Sequence, residues 1–387
     1  MKDIDVLIVA RPDHSMQIYN ALLKQDRLSF LFLSYKVFPV WIKKMFGIKK
    51  MTTVSKNAIC SWKLTIVNLC RYKFRFPFAQ NWDETLIFDR HLRRIFKNKR
   101  VRIIHYWPEY GDYEIIKYVK SHPGTLAFAD IHMPHPKSVY EDMKSVYLKY
   151  GIEPESMQLF NMAQNQADFV NNANDILVPS SYVADSYKRI YKDKRYHIIS
   201  YGITVSSSYT KRHRTIVKEF VYAGRISLEK GSDLLLDFFE RNPELNIHLY
   251  GSIVNGQEFI FDKYKGIPNI YFHGLVPKVE LQNRLKLYDV GIHLSRFDAY
   301  SLAVGEMIGT GLPVIVSEAV GNKDDIKAEN FGLVTSLEVK CIEDTIRQMC
   351  KLDLYNKFVD NIEDYIRYRH VSYGEKLINF YLNTIAS

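Results

Sequence analysis

Residues 289–326, DVGIHLSRFDAYSLAVGEMIGTGLPVIVSEAVGNKDDI, leave few folds open. The apolar run 290–295 reads as a buried strand, and the polar turn 296–299 follows it. Residues from about 300 to 310 read as a short helix closed by Gly311, where a left-handed C-cap fits. PVIVS at 313–317 then reads as a second buried strand, rich in β-branched residues. A strand, a crossover helix and a further strand in so short a span predict parallel pairing. In such sheets ligands sit outside the carboxyl ends of the strands, where helix N-termini offer free N–H groups to anions.

Two acids punctuate this unit. Asp298 lies in the turn and Glu306 eight positions later in the helix. The helical part sets them roughly 10 Å apart along the axis, a spacing at which one acid reaches a sugar and the other a neighbouring ribose. The plainer account makes Asp298 an N-cap and Glu306 a solvated helix position. A second stretch, YAGRISLEKGSDLLLD at 222–237, places Arg225 and Lys230 between a strand end at Ala223-Gly224 and a helix starting near Ser232. Arginine as a planar fork and lysine as a mobile point charge can together clamp a diphosphate. The competing account is a surface Arg225–Glu229 pair worth less than about 1 kcal/mol.

SRFDAYSLAVGEMIGTGLPVIVSEAVG resembles the acidic E-x7-E segment of the GT-B retaining glycosyltransferases of family 4, here as D-x7-E. The agreement runs through the small residues 309–311, the strand PVIVS and Gly321. YAGRISLEKG is similar to the G-R-x-x-x-x-K-G segment of the same family, and the two motifs stand in the family's order. The similarity is strong over residues 219–335. It implies an α/β GT-B fold, two Rossmann-like domains facing across a cleft, with a C-terminal helix crossing back to the first.

The resemblance also implies roles. Gly224, Arg225 and Lys230 would hold the donor diphosphate and offset charge on the departing nucleoside diphosphate. Asp298 would contact hydroxyls of the donor sugar and Glu306 the ribose, while Tyr300, Ser301 and Leu302 would offer backbone N–H groups to the phosphates. Asp298 stands where glutamate is usual, one methylene shorter, and Ser301 where glycine is common. Gly251 in YGSIVNG corresponds to a glycine-rich turn beside the nucleoside, and Leu275, Val276 and Pro277 in HGLVPKVEL to the segment that holds the base. In AFADIHMPHP, His132 stands at the end of a strand where the family carries a histidine facing the donor sugar, with His135 as runner-up. A structural histidine or, with Asp130, a metal site are the competing accounts; enzymes of this type need no bound metal or other cofactor. The catalytic set is thus His132, Asp298, Arg225 and Lys230. His273 and His293 read as packed strand-end residues. The first turn, RPDHSMQ, departs from the family's glycine-rich loop, leaving Arg11 and His14 to substitute through side chains.

Length and charge set the wider frame. A chain of 387 residues predicts two domains. We expect an acceptor-binding domain at 1–202, a Ser/Thr-rich basic linker at 203–218, a nucleotide-sugar-binding domain at 219–370 and a C-terminal helix at 371–387. The net charge of +10 is concentrated: residues 1–100 carry 20 Lys and Arg against 7 Asp and Glu. In LSFLFLSYKVFPVWIKKMFGIKK and KLTIVNLCRYKFRFPF the cations interleave with large apolar side chains, a pattern suited to an anionic membrane face. No apolar run reaches the ~18 residues of a membrane span, and Met1-Lys2-Asp3 before VLIVA is too short for a secretory leader. The four cysteines form no C-x-x-C pattern and read as buried thiols in a reducing compartment. These features predict a cytoplasmic protein, peripheral on the inner face of the plasma membrane. The resemblance implies transfer of a sugar, with retention, from a UDP- or GDP-linked donor to an acceptor hydroxyl on a lipid-linked bacterial surface glycan such as capsule, O-antigen or exopolysaccharide. Alternatives are a GT-B glycoside phosphorylase, although no pyridoxal phosphate motif is visible, or a non-catalytic basic protein binding membrane or nucleic acid. A nucleic-acid partner is not expected, since it leaves the two motifs unexplained.

Overall fold

The structure, a computed structural model, describes residues 3–10, 15–34, 37–39, 52–54, 57–60, 85–108, 112–156, 170, 173–206 and 209–386. Arg11, His14, the lysines at 43, 44, 49 and 50 and most of the basic aromatic stretch lie outside these residues.

The first half builds a seven-stranded sheet from β1 (Ile4–Val9), β2 (Phe30–Ser34), β5 (Ala58–Cys60), β6 (Val101–Tyr106), β7 (Leu126–Asp130), β8 (Asp175–Val178) and β9 (Arg195–Ile198). Between β2 and β5, β3 (Val37–Pro39) and β4 (Thr52–Val54) form a separate pair. The order β5-β2-β1-β6-β7-β8-β9 is parallel throughout. Burial on both faces explains the near-continuous apolar strands, such as the buried run of β8. The second half builds six parallel strands, β10 (Glu219–Ala223), β11 (Asn246–Tyr250), β12 (Ile270–Gly274), β13 (Val290–His293), β14 (Val314–Ser317) and β15 (Gly332–Thr335). Their order is β12-β11-β10-β13-β14-β15, so the direction of winding reverses between β10 and β13. That reversal opens a crevice at the strand carboxyl ends, the usual ligand position of a doubly wound sheet.

The unit at 289–326 forms as expected. Helix Leu302–Gly309 joins β13 to β14, and Gly311 closes it at φ +99°. Helix Pro136–Lys149 ends at Tyr150, with Gly151 at φ +68° and a 3-10 turn at Pro154–Ser156 after it. Helix Ser181–Lys188 is capped by Ser180, its Oγ accepting from Val183 N at 3.3 Å. The thiols of Cys341 and Cys350 are only half-buried, which corrects the expectation for these two, while Cys70 and the side chain of Cys60 lie outside the described residues; burial still pushes the Cys350 thiol up to about 11.

Two helices cross between the halves. Tyr140, Met143 and Tyr147 of helix Pro136–Lys149 lie in the core of the second sheet, together with Phe238 and Phe261. In return, helix Tyr373–Ala386 places Tyr373, Leu377, Ile378 and Tyr381 in the core of the first sheet, against helix Ser15–Leu23. The expected return of the C-terminal helix is thus realised.

A buried ion pair ties the loop after β13 to the start of the helix that follows β10. Arg296 makes two hydrogen bonds to Asp233, at 2.6 and 2.8 Å, and a further one to the Leu228 carbonyl. Its own N–H donates to the Glu229 carbonyl at 2.8 Å. Asp233 is 1% exposed and Arg296 12%, so both charges are desolvated and depend on each other. Tyr150 adds a hydrogen bond to Asp233 at 2.9 Å from the first half of the chain.

Leu377→Ala should cost about 2–5 kcal/mol in urea unfolding, since it empties a fully buried site; a loss near zero would show that the returning helix adds nothing to the first core. Asp233→Ala or Arg296→Ala alone should each cost about 3–5 kcal/mol by stranding a buried charge. The double variant should cost clearly less than the sum, and strict additivity would contradict the coupling.

Candidate functional site at the β10/β13 crevice

The site is assembled from three loop ends. The loop after β10 carries Gly224, Arg225 and Lys230; the loop after β13 carries Asp298; helix Leu302–Gly309 carries Glu306. Gly231, which follows Lys230, starts helix Ser232–Arg241 at φ +65°. A Cβ there would sit 1.9 Å from the Leu294 carbonyl oxygen, so only glycine lets this turn press against the end of β13. Gly251 is constrained in the same way, at φ +152° with a Cβ position 1.8 Å from the Gly224 carbonyl oxygen.

Lys230 Nζ lies 2.6 Å from Asp298 Oδ2, and His293 Nε2 lies 3.1 Å from the same oxygen. The backbone of Asp298 is pinned on both sides, its N–H donating to Ala319 O and its carbonyl accepting from Gly321 N, each at 2.9 Å. Burial by itself would raise the Asp298 pKa, but the His293 hydrogen bond and the Lys230 charge outweigh it and hold the carboxyl well below the usual carboxylate range. Arg225 is exposed and makes no ion pair among the described residues. Glu229 instead accepts from Tyr147 Oη at 2.9 Å and Gln257 Nε2 at 3.2 Å, which disposes of the Arg225–Glu229 pair. The Arg225 guanidinium is therefore available to an anion, and Lys230 is available by exchange.

Glu306 is ion-paired with Lys278, the first residue of helix Lys278–Leu285. Leu275 is 80% exposed and Val276 packs against the core beneath it, while Pro277 precedes the helix. Leu302, half exposed, begins its helix and keeps an N–H that the helix cannot use. Ser301 differs from expectation. Its N–H is already bonded to Asn322 Oδ1 at 2.6 Å, and its Oγ caps the helix by accepting from Val304 N, so this N–H is not free for a phosphate. The Tyr300 ring turns toward the first half of the chain, with its hydroxyl on Asp325 at 2.7 Å and its edge against Tyr201 at 5.3 Å.

Across the crevice, His132 Nδ1 lies 2.7 Å from Tyr201 Oη, and Trp107 packs edge-on against its ring at 4.2 Å. The Tyr201 ring thus stands between His132 and Tyr300. His135 instead caps helix Pro136–Lys149, its Nδ1 accepting from Lys137 N at 3.2 Å. Burial and the Lys137 charge lower its pKa to about 4, so it is neutral at pH 7. Behind His132, Asp130 accepts from His105 Nε2 at 2.9 Å, and His105 Nδ1 meets Tyr381 Oη at 2.6 Å. No three His, Cys, Asp or Glu side chains converge as metal ligands among the described residues, and no helix among them is long and apolar enough to cross a membrane.

Sequence reasoning missed His293, Arg296, Lys278 and His105 as parts of this arrangement. His293 and Arg296 precede Asp298 by five and two positions in the strand end and turn, so their proximity was available from spacing alone. Lys278 and His105 come from distant segments and carried no local signal. His273 is packed as expected, stacked on Tyr250 at 4.5 Å and bonded to His248.

Comparison with known proteins bears on the fold and on the second half of the chain. Residues 211–366, which contain both motifs, match the family described as glycosyl transferases group 1. Among curated proteins, "Glycosyltransferase 1 domain-containing protein 1" of Xenopus tropicalis is 23% identical over 141 residues, which is 36% of this chain and 41% of that relative. The chain thus aligns with less than half the length of the curated relative it matches. Among solved structures, sucrose-phosphate synthase from Thermosynechococcus elongatus has a TM-score of 0.62 at 13% identity, with all of both chains covered. The lipopolysaccharide outer core galactosyltransferase WaaB has a TM-score of 0.60 at 13% identity, covering 99% of this chain and 100% of its own. Anabaena HepE in complex with UDP and glucose has 0.57 at 12%, with the same coverage. The fold is therefore GT-B, and the second half of the chain carries a glycosyl transferases group 1 domain.

Proposed function

We propose that this chain is a retaining glycosyltransferase of family 4, taking a sugar from a UDP-linked donor to an acceptor hydroxyl. The observation that carries the reading is the contact of Lys230 with Asp298 between the loops that leave β10 and β13 at the winding reversal. UDP as the carrier is supported by the GT-B neighbour HepE, whose structure holds UDP and glucose. Arg225 and Lys230 bind the diphosphate, Asp298 a sugar hydroxyl, and Glu306 the ribose; Leu275 and Val276 meet the base, and His132 faces the sugar from the other side. The bond from the anomeric carbon to the diphosphate oxygen breaks, its electron pair leaving with UDP. The acceptor oxygen bonds to that carbon with retention, and its proton passes to the departing diphosphate. Arg225 and Lys230 stabilise the developing charge, and in most such sites this electrostatic effect contributes more than any other, so no resident metal is required. Closure of the crevice keeps water from the donor.

The acceptor is a lipid-linked bacterial surface glycan, and the protein docks peripherally on the anionic inner face of the membrane. The excess of 13 positive charges in residues 1–100 supports this, as does the likeness to WaaB, a galactosyltransferase of the lipopolysaccharide outer core.

UDP at about 100-fold over its Kd should add about 2.7 kcal/mol of stability in a thermal-shift assay. Lys230→Ala should weaken UDP binding by about 10–100-fold, and unchanged affinity would remove the clamp. Charge reversal at Lys43, Lys44, Lys49 and Lys50 should release the protein from phosphatidylserine vesicles, at about 1 kcal/mol per cation; retained binding would contradict the membrane reading.

A further inference from the structure

Asp298 is bonded on one oxygen only. Lys230 and His293 both address Oδ2, while Oδ1 carries no hydrogen bond among the described residues. His293 is 3% exposed, and its second nitrogen, Nδ1, is buried without a partner among the described residues. An ionised carboxylate only accepts, so Nε2 carries the hydrogen, and Nδ1, with no acceptor beside it, carries none. Burial and the Lys230 charge keep the ring neutral against the opposing pull of Asp298. Tyr222 stacks on the imidazole with rings 5.5 Å apart and 9° from parallel, which fixes its plane. Ser301 Oγ closes the remaining side at 3.5 Å from Nε2. The ring has one hydrogen bond to give, and it gives it to Asp298.

This arrangement solves a problem that the donor raises. Lys230 neutralises Asp298 in the ligand-free protein, yet the same ammonium is the inner cation of the diphosphate clamp. A lysine is a point charge on a flexible stem, so an arriving diphosphate draws it away. Asp298 would then be free to turn about its short side chain. We propose that His293 is the positioning residue that holds Asp298 Oδ2 while Lys230 passes to the diphosphate, so that Oδ1 stays presented to a hydroxyl of the donor sugar. This rests on the donor-site reading above and adds the sequence of partners: Lys230 is exchanged and His293 is retained. It also gives this chain's shorter acid a fixed support, since Asp298 lacks the additional methylene through which a glutamate would adjust.

The test compares His293→Leu, which removes the donor, with His293→Gln, whose amide can restore it. Affinities for UDP and for UDP-glucose, UDP-galactose and UDP-N-acetylglucosamine are measured by calorimetry. His293→Leu should leave UDP binding within about twofold but weaken the tightest UDP-sugar by about 10–100-fold, the worth of a hydrogen bond to a charged group. His293→Gln should recover most of that loss. Equal losses for UDP and UDP-sugar, or no loss for either, would overturn the proposal. A wild-type protein that binds none of these ligands would defeat the donor reading, and a ligand-free measurement then decides on His293. In 15N-histidine-labelled protein at pH 7, His293 should be the neutral Nε2–H form, and its signals should shift on Asp298→Asn. The other tautomer, an imidazolium, or indifference to Asp298→Asn would overturn the role of His293 independently of any ligand.

Discussion

Parallel pairing of β10 with β13 is the constraint from which the rest of the site follows. The chain reaches β13 only after winding out through β11 and β12, so the two loops leaving β10 and β13 diverge and a crevice opens between them. Lysine from one loop and aspartate from the other meet there, although 68 positions separate Lys230 from Asp298. Two glycines permit the approach, since a side chain at 231 or 251 would collide with backbone. The Arg296–Asp233 pair fixes the spacing of the two loops beneath the charged groups.

Charge within the crevice is balanced without a ligand. A buried carboxylate with no partner would be costly, and Lys230 with His293 prevents that at Asp298. Lys278 does the same for Glu306, while Arg225 is left exposed. The ligand-free site therefore holds one cation ready and two acids already paired. An anion binding at Lys230 would compete with Asp298 for it.

The two halves are linked through their cores as well as along the chain. Helix Pro136–Lys149 lends Tyr140, Met143 and Tyr147 to the second core and sends Tyr147 and Tyr150 to Glu229 and Asp233, on either side of Lys230. Helix Tyr373–Ala386 returns to the first core, where Tyr381 begins the buried chain through His105 to Asp130, the neighbour of His132. Each side of the crevice thus receives support from a helix that crosses between the halves.

Where the signal was local, the residues of this chain were sufficient. Period, β-branched runs and punctuating glycines specified the unit at 289–326, the strand–turn–helix at 219–241 and the parallel class of the second sheet. Motif resemblance named Arg225, Lys230, Asp298 and Glu306. What spacing along the chain could not convey is which groups face each other. That Ser301 spends its N–H on Asn322 and that His132 meets Tyr201 were decided by tertiary structure. Hydrogen bonds of this kind depend on distances of about 3 Å between segments tens of residues apart, and only packing of the two sheets and their shared helices sets those distances.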